Sequence, residues 1–115
     1  VDAETLSVPP GAAVIHVIAT IRVAPDTREA FLAEFRQLVP LVLAEEGCLA
    51  YGPAVDEPTD LAVQDLAGDD AVVVVEQWES LAALKAHTTA PHMADYRVRV
   101  KDHVRSVSLL VLRPA

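Results

Sequence analysis

The feature that most constrains the fold of this chain is a hydrophobic period that switches, along its length, between two residues and three to four. In VIHVIATIRV, Val14 to Val23, the residues Ile15, Val17, Ala19, Ile21 and Val23 share one face, and His16, Ile18, Thr20 and Arg22 share the other. A period of two is that of a β-strand, here with one firmly apolar face. Pro25-Asp26 then opens a helix. Asp26 stands as N-cap with Glu29 three residues on, the spacing at which cap and helix satisfy each other's free amides. Phe31, Phe35, Leu38 and Val42 recur at steps of four, three and four, the apolar stripe of a helix lying on a sheet. Pro40 removes one backbone donor and crowds the carbonyl of Arg36, which predicts a kink, and Gly47 is expected to close the helix.

Cys48–Asp56 reads as a second strand, with Gly52-Pro53 marking a bulge or an edge position. An acidic loop from Glu57 to Asp70 leads into Ala71–Glu79, whose β-branched run is the clearest strand in the chain. Alternation places Val72, Val74, Glu76 and Trp78 on one of its faces. Ser80 caps a short helix from Leu81 to about His87, Thr88-Thr89 breaks it, and a second helix starts near Pro91. Met93, Tyr96, Val100 and Val104 keep helical spacing, and Ser106–Leu112 returns as a final strand. The order β-α-β-β-α-α-β predicts an α+β fold: a ferredoxin-like antiparallel sheet with helices on one face. The other face, carrying Ile18 and Leu110, would be bare, so two copies are expected to pack those faces together as a homodimer.

At 115 residues the chain suits one domain, expected over residues 13–115 behind a flexible arm at 1–12 that holds Pro9, Pro10 and Gly11. Nine Lys and Arg against 17 Asp and Glu give a net charge of -8, which opposes binding to nucleic acid or an anionic membrane surface. The cations are uneven, however: none lies between Arg36 and Lys85, whereas Arg97, Arg99, Lys101, Arg105 and Arg113 crowd the end and leave room for a local anion site. The single cysteine, Cys48, forms neither an intrachain disulfide nor a thiolate zinc cage, in keeping with a reducing compartment. With neither a membrane-length apolar run nor the pattern of a signal peptide, a cytoplasmic location is expected.

Glu76, Trp78, His87, His92 and Tyr96 fall within 21 residues, on a strand and on the two helices that should cover it, so one cavity can gather them. Trp78 and Tyr96 read equally well as large core side chains. A carboxylate on a strand, as at Glu76, most often faces solvent or pairs with a base such as Arg97. His87 and His92 are five apart across a helix break, so they lack the i, i+4 pairing of metal ligands. A His-His-Glu metal site with Glu76 is the weaker reading, and no metal is assigned. One cavity histidine acting as general base is the better one, because free imidazole titrates near neutrality. His16 and His103 look structural, and Cys48 has no adjacent base to make it a nucleophile. No nucleotide, flavin or nicotinamide fingerprint occurs, so no cofactor is expected.

Three segments carry a family resemblance: VIATIRVAP (17–25), VPLVLAEEGCLAYGPAVD (39–56) and VEQWESLAALKAHTTAPHMADY (75–96). They resemble the antibiotic biosynthesis monooxygenase family, and within it the bacterial quinol monooxygenase branch. The resemblance runs from about Val14 to Pro114, and its most specific part is Glu76, Trp78, Glu79, Ser80, Ala86, His87, Pro91, His92 and Met93. It implies a dimeric α+β barrel that oxidises a quinol or phenolic aromatic substrate with dioxygen, without metal or flavin. On that likeness His87 or His92 is the base, Trp78, Met93, Tyr51 and Tyr96 are pocket walls, and Tyr96 or Glu76 is a hydrogen-bonding group. Arg97 joins Tyr51, Glu76 and Met93 as a substrate-binding candidate. The family's haem-degrading branch needs an Asn and a His where this chain has Ala19 and Arg97. Another branch isomerises a small phosphorylated diketone and shares the H-x-x-x-P-H pattern; it is the alternative reading, beside a dimer that only binds quinones or hydrophobic metabolites.

Overall fold

The alternating run that begins the sequence becomes β1 (Ile15–Val23), and the residues with β-branched side chains after the acidic loop become β3 (Ala71–Trp78). In the structure, a computed structural model that describes residues 14–115, these two strands pair at the centre of one antiparallel sheet. The arm expected at 1–12 lies outside the described residues. The remaining elements are α1 (Arg28–Leu43), β2 (Cys48–Ala54), α2 (Leu81–Thr88), α3 (Pro91–Val100) and β4 (Val104–Leu112). The strand order β2-β3-β1-β4, antiparallel at every pairing, is that of a ferredoxin-like α+β fold.

Alternation decides the two faces. Val17, Ala19 and Ile21 of β1 and Val72, Val74 and Trp78 of β3 are buried beneath the helices, against Phe31, Leu32, Phe35, Leu38 and Val42 of α1. On the opposite face Ile18 stands in register with Val75 on one side and Leu110 on the other, and both of those partners are exposed. The fold thus leaves an apolar row open on the side without helices.

The structure corrects several local expectations. Asp26 is not the N-cap: it takes a left-handed conformation with φ of 64°, and Thr27 occupies the cap position without a side-chain capping bond. The reason is the preceding turn, in which the Thr27 hydroxyl donates back to the Ala24 carbonyl at 2.7 Å. At its other end α1 continues through Pro40 and stops at Leu43, so Gly47 serves the following turn rather than the helix terminus. Gly47 has φ of +83°, and its hydrogen faces Ala83 where a methyl group would not fit. Leu49, not Gly52-Pro53, sits at the register irregularity of β2, although β2 is an edge strand as expected. β2 also ends at Ala54, because the Asp56 carboxylate turns away to accept the N–H groups of Ala67 and Gly68 at 2.9 and 2.8 Å. Val104 belongs to β4, paired with Val23, and not to the last helix.

Candidate active site

The period of two carries a carboxylate into the core. Glu76 lies on the same face of β3 as Val74 and Trp78 and is only 5% exposed. Two residues further on, the Trp78 indole donates to Glu76 Oε1 at 3.0 Å. Burial pushes the Glu76 carboxyl above the usual carboxylate range, against the opposing pull of that indole bond. Glu76 therefore neither faces solvent nor pairs with Arg97, whose guanidinium donates instead to the Thr88 carbonyl at 2.9 Å.

Ser80 starts α2 by accepting the Ala83 N–H on its hydroxyl at 3.1 Å. The helix then turns Leu84 and His87 inward. His87 is 5% exposed, and its ring centroid lies 4.7 Å from that of Trp78 and 5.5 Å from that of Tyr51. Pro91 begins α3 at a position where its missing N–H costs nothing, and Met93, Tyr96 and Val100 face inward from there. Tyr96 meets the Phe31 and Phe35 rings edge-on, and Tyr51 stacks on Phe35 at 5.6 Å.

Between the sheet and the helices these side chains line a cavity of about 430 Å³ that is open on one side. That is within the range of small-molecule sites, roughly 300–1,000 Å³. Val17, Ala19, Ile21, Val74, Leu84 and Met93 form its apolar wall; Tyr51, Glu76, His87 and Tyr96 are polar groups that line it, and so do Arg97 and Lys101. Burial raises the phenols of Tyr51 and Tyr96, so both keep their protons and are available as hydrogen-bond donors. Among the described residues neither hydroxyl, nor His87 Nε2, has a protein partner, yet no buried side-chain nitrogen or oxygen is left without one. All three atoms thus keep accessible surface, on residues that line the cavity.

Trp78 and His92 do not line it. Trp78, fully buried, backs His87 and Glu76. His92 meets His87 at a residue sequence reasoning missed: Glu45 Oε2 lies 2.9 Å from His87 Nδ1 and 2.7 Å from His92 Nε2. The two histidines converge on Glu45, not on Glu76, and the described residues hold no group of three or more side chains arranged to ligate a metal. Burial, reinforced by the charges of Glu45 and Glu76, pushes the Cys48 thiol up, opposite to what a nucleophilic thiolate requires.

Residues 14–99 match the family described as antibiotic biosynthesis monooxygenase. The chain is 43% identical over 102 residues to the probable quinol monooxygenase YgiN of Escherichia coli K12, covering 87% of this chain and 97% of that protein. Among solved structures, PA3566 from Pseudomonas aeruginosa superposes with a TM-score of 0.75 at 27% identity, over 93% of this chain and 99% of that one. Rv0793 from Mycobacterium tuberculosis does so with a TM-score of 0.72 at 29% identity, over 90% and 96%. No helix among the described residues is long and apolar enough to cross a membrane.

Proposed function

The chain belongs to the antibiotic biosynthesis monooxygenase family, and from that premise we propose that it is a cofactor-independent monooxygenase acting with dioxygen on a quinol or phenolic aromatic substrate. The observation that carries this reading is an apolar cavity lined by an imidazole and two phenols whose unpartnered polar atoms stay accessible. His87 is the base. Its Nε2 takes the proton of a substrate hydroxyl, and the electron-rich anion left behind passes an electron to oxygen. Tyr51 and Tyr96 donate hydrogen bonds to substrate oxygens, Glu76 adds a polar group pushed toward its neutral form, and Met93 shapes the wall with its flexible thioether. Trp78 acts at one remove, holding Glu76 and bracing His87. For a simple quinol, quinol plus dioxygen gives a hydroxyquinone plus water: one oxygen atom enters the ring, the other leaves as water, and the substrate supplies every electron. Apolar walls that exclude water keep the anion reactive and the ring oriented.

The same reading includes a homodimer joined through the open sheet face. The Leu110–Ile18–Val75 row supports it, since an exposed apolar row of this kind is what a second copy would cover. Light scattering at micromolar concentration should report a dimer; a monomer would remove this part of the reading.

Oxygen uptake by metal-stripped protein with a panel of reduced quinols, corrected for autoxidation, tests the activity. Saturable uptake is expected, reduced at least about 100-fold in His87→Ala, the lower end of what general-base catalysis supplies. Unchanged uptake in that variant would remove the base, and no uptake above autoxidation, with quinol binding intact, would overturn the monooxygenase. Arg97 and Lys101 in the cavity lining favour one second reading, isomerisation of a small phosphorylated diketone. It predicts conversion of that substrate without oxygen uptake.

A further inference from the structure

The turn after α1 carries a carboxylate that does not line the cavity yet controls the group that does. Glu45 Oε2 is the shared partner of His87 Nδ1 and His92 Nε2, two rings that α2 and α3 bring together from opposite sides of a helix break. An ionised carboxylate only accepts hydrogen bonds, so each of those ring nitrogens must carry its hydrogen toward Glu45. For neutral His87 that settles the tautomer: Nδ1 holds the proton and Nε2 holds the lone pair. The lone pair is then on the nitrogen left without a protein partner, on a ring that lines the cavity. Exposure also falls in order along the three side chains, from 23% at His92 to 13% at Glu45 and 6% at His87. The outer ring therefore donates to an inner carboxylate, which is braced on its solvent side before it reaches the buried imidazole.

We infer that Glu45 and His92 are positioning residues: Glu45 fixes His87 in the tautomer able to accept a proton and offsets the imidazolium that results, and His92 aims and holds Glu45. Nothing in this assigns base chemistry to His92, which does not line the cavity. In the step itself a substrate O–H bond breaks and an Nε2–H bond forms on His87. The new positive charge lies one hydrogen bond from the Glu45 carboxylate, the logic by which a buried acid orients a catalytic histidine. When dioxygen is reduced, that proton returns to the oxygen that leaves as water. The inference rests on the monooxygenase reading for the source of the proton, but the tautomer does not depend on it.

The test uses the full chain labelled with ¹⁵N in histidine, because imidazole nitrogen shifts distinguish a protonated ring nitrogen from one with a lone pair. In the wild type His87 should show Nδ1 protonated and Nε2 bare, and in Glu45→Ala the Nδ1-protonated form should lose its dominance. Oxygen uptake with a quinol, where the wild type shows it, should fall in Glu45→Ala on the order of 100-fold in kcat, with KM changed less than about twofold because Glu45 does not touch substrate. His92→Ala should lower kcat less than Glu45→Ala, and His92→Gln, which restores an N–H donor, should recover part of the loss. Circular dichroism checks folding, and Glu45→Gln, which keeps the size and removes the charge, stands in if the alanine variant unfolds: it should lower kcat with KM held. A bare Nδ1 on His87 in the wild type, or a tautomer indifferent to Glu45→Ala, would overturn the inference. If the wild type consumes no oxygen but the tautomer responds as expected, the monooxygenase reading fails while the positioning of His87 by Glu45 stands.

Discussion

Replacing Gly47 with alanine should destabilise the protein by about 2–5 kcal/mol, the sum of two costs that can be separated. The first is conformational, because φ of +83° lies in the left-handed region, where an L-residue loses roughly 1–2 kcal/mol. The second is steric. A Cβ on Gly47 would sit 2.6 Å from the Cβ of Ala83 on α2, and two backbone-attached carbons at that distance cannot both stay in place. Overpacking of this kind costs about 1–3 kcal/mol. Ala83→Gly removes the opposing methyl at the helix-interior cost of glycine, about 1 kcal/mol. The double variant should then lose only about 2–3 kcal/mol, the strain plus the glycine penalty, because the clash is gone. Urea unfolding of the wild type, both single variants and the double variant gives the coupling directly, provided the slopes agree. Simple additivity, with the double variant losing the sum of the singles, would refute the reasoning and leave backbone strain as the whole effect. Gly47 also bears on the site, since its carbonyl accepts the Glu79 N–H at 2.8 Å and so anchors the turn that presents Glu45.

Glu76→Gln should change how stability depends on pH. The folded carboxyl titrates above its ordinary value, so above that ordinary value the native state binds more protons than the unfolded chain, and wild-type stability falls as pH rises from the ordinary carboxylate range through the raised one; the variant should gain relative to wild type over that rise, and a constant difference would contradict this. Tyr96→Phe keeps the edge contacts with Phe31 and Phe35 but loses the donor, so quinol turnover should drop about tenfold, one hydrogen bond's worth, while thermal stability holds; unchanged turnover would take Tyr96 out of substrate contact. In Asp56→Asn the amides of Ala67 and Gly68 should exchange faster, since their N–H groups hold the Asp56 carboxyl below its usual range. The same protection should fade in the wild type as pH drops through that lowered value, and exchange insensitive to both changes would show that the loop is held elsewhere.

Much of the fold was legible because burial follows period. The faces of β1 and β3 could be read from alternation alone, and that alternation already placed Glu76 inward beside Val74 and Trp78. What argued against Glu76 was the general cost of burying a carboxylate, and the indole of Trp78 answers that cost with a hydrogen bond. The boundary at Asp26 shifted with the local turn that Thr27 closes on Ala24, whereas the one at Val104 was set by a partner distant in sequence, Val23. Glu45 was illegible for the same reason. It follows the apolar stripe of α1 in a short acidic turn, and its partners lie 42 and 47 residues away, so no local spacing marks it. Only the convergence of α2 and α3 on that turn gives it a function.

That convergence also determines which part of the molecule can give way. Because His92 stands in the first turn of α3 and is tied to Glu45, the helix is held at its beginning like a lever on a pivot. Room for a bulkier ring should come from the far end, where Val100, Lys101 and Val104 line the cavity. The swing is opposed there by the packing of Val100, by the sheet pairing of Val104 with Val23, by the Ala24 N–H on the His103 carbonyl at 2.7 Å and by the exposed Arg99–Glu34 ion pair at 3.0 Å; of these the ion pair, worth about 0–1 kcal/mol, is the one that salt weakens. Ionic strength should thus tune the size of molecule admitted while leaving the histidine end untouched, and amide exchange should quicken toward Lys101 but not at Met93. If Met93 loosens as readily, the helix moves as a whole and the pivot is lost.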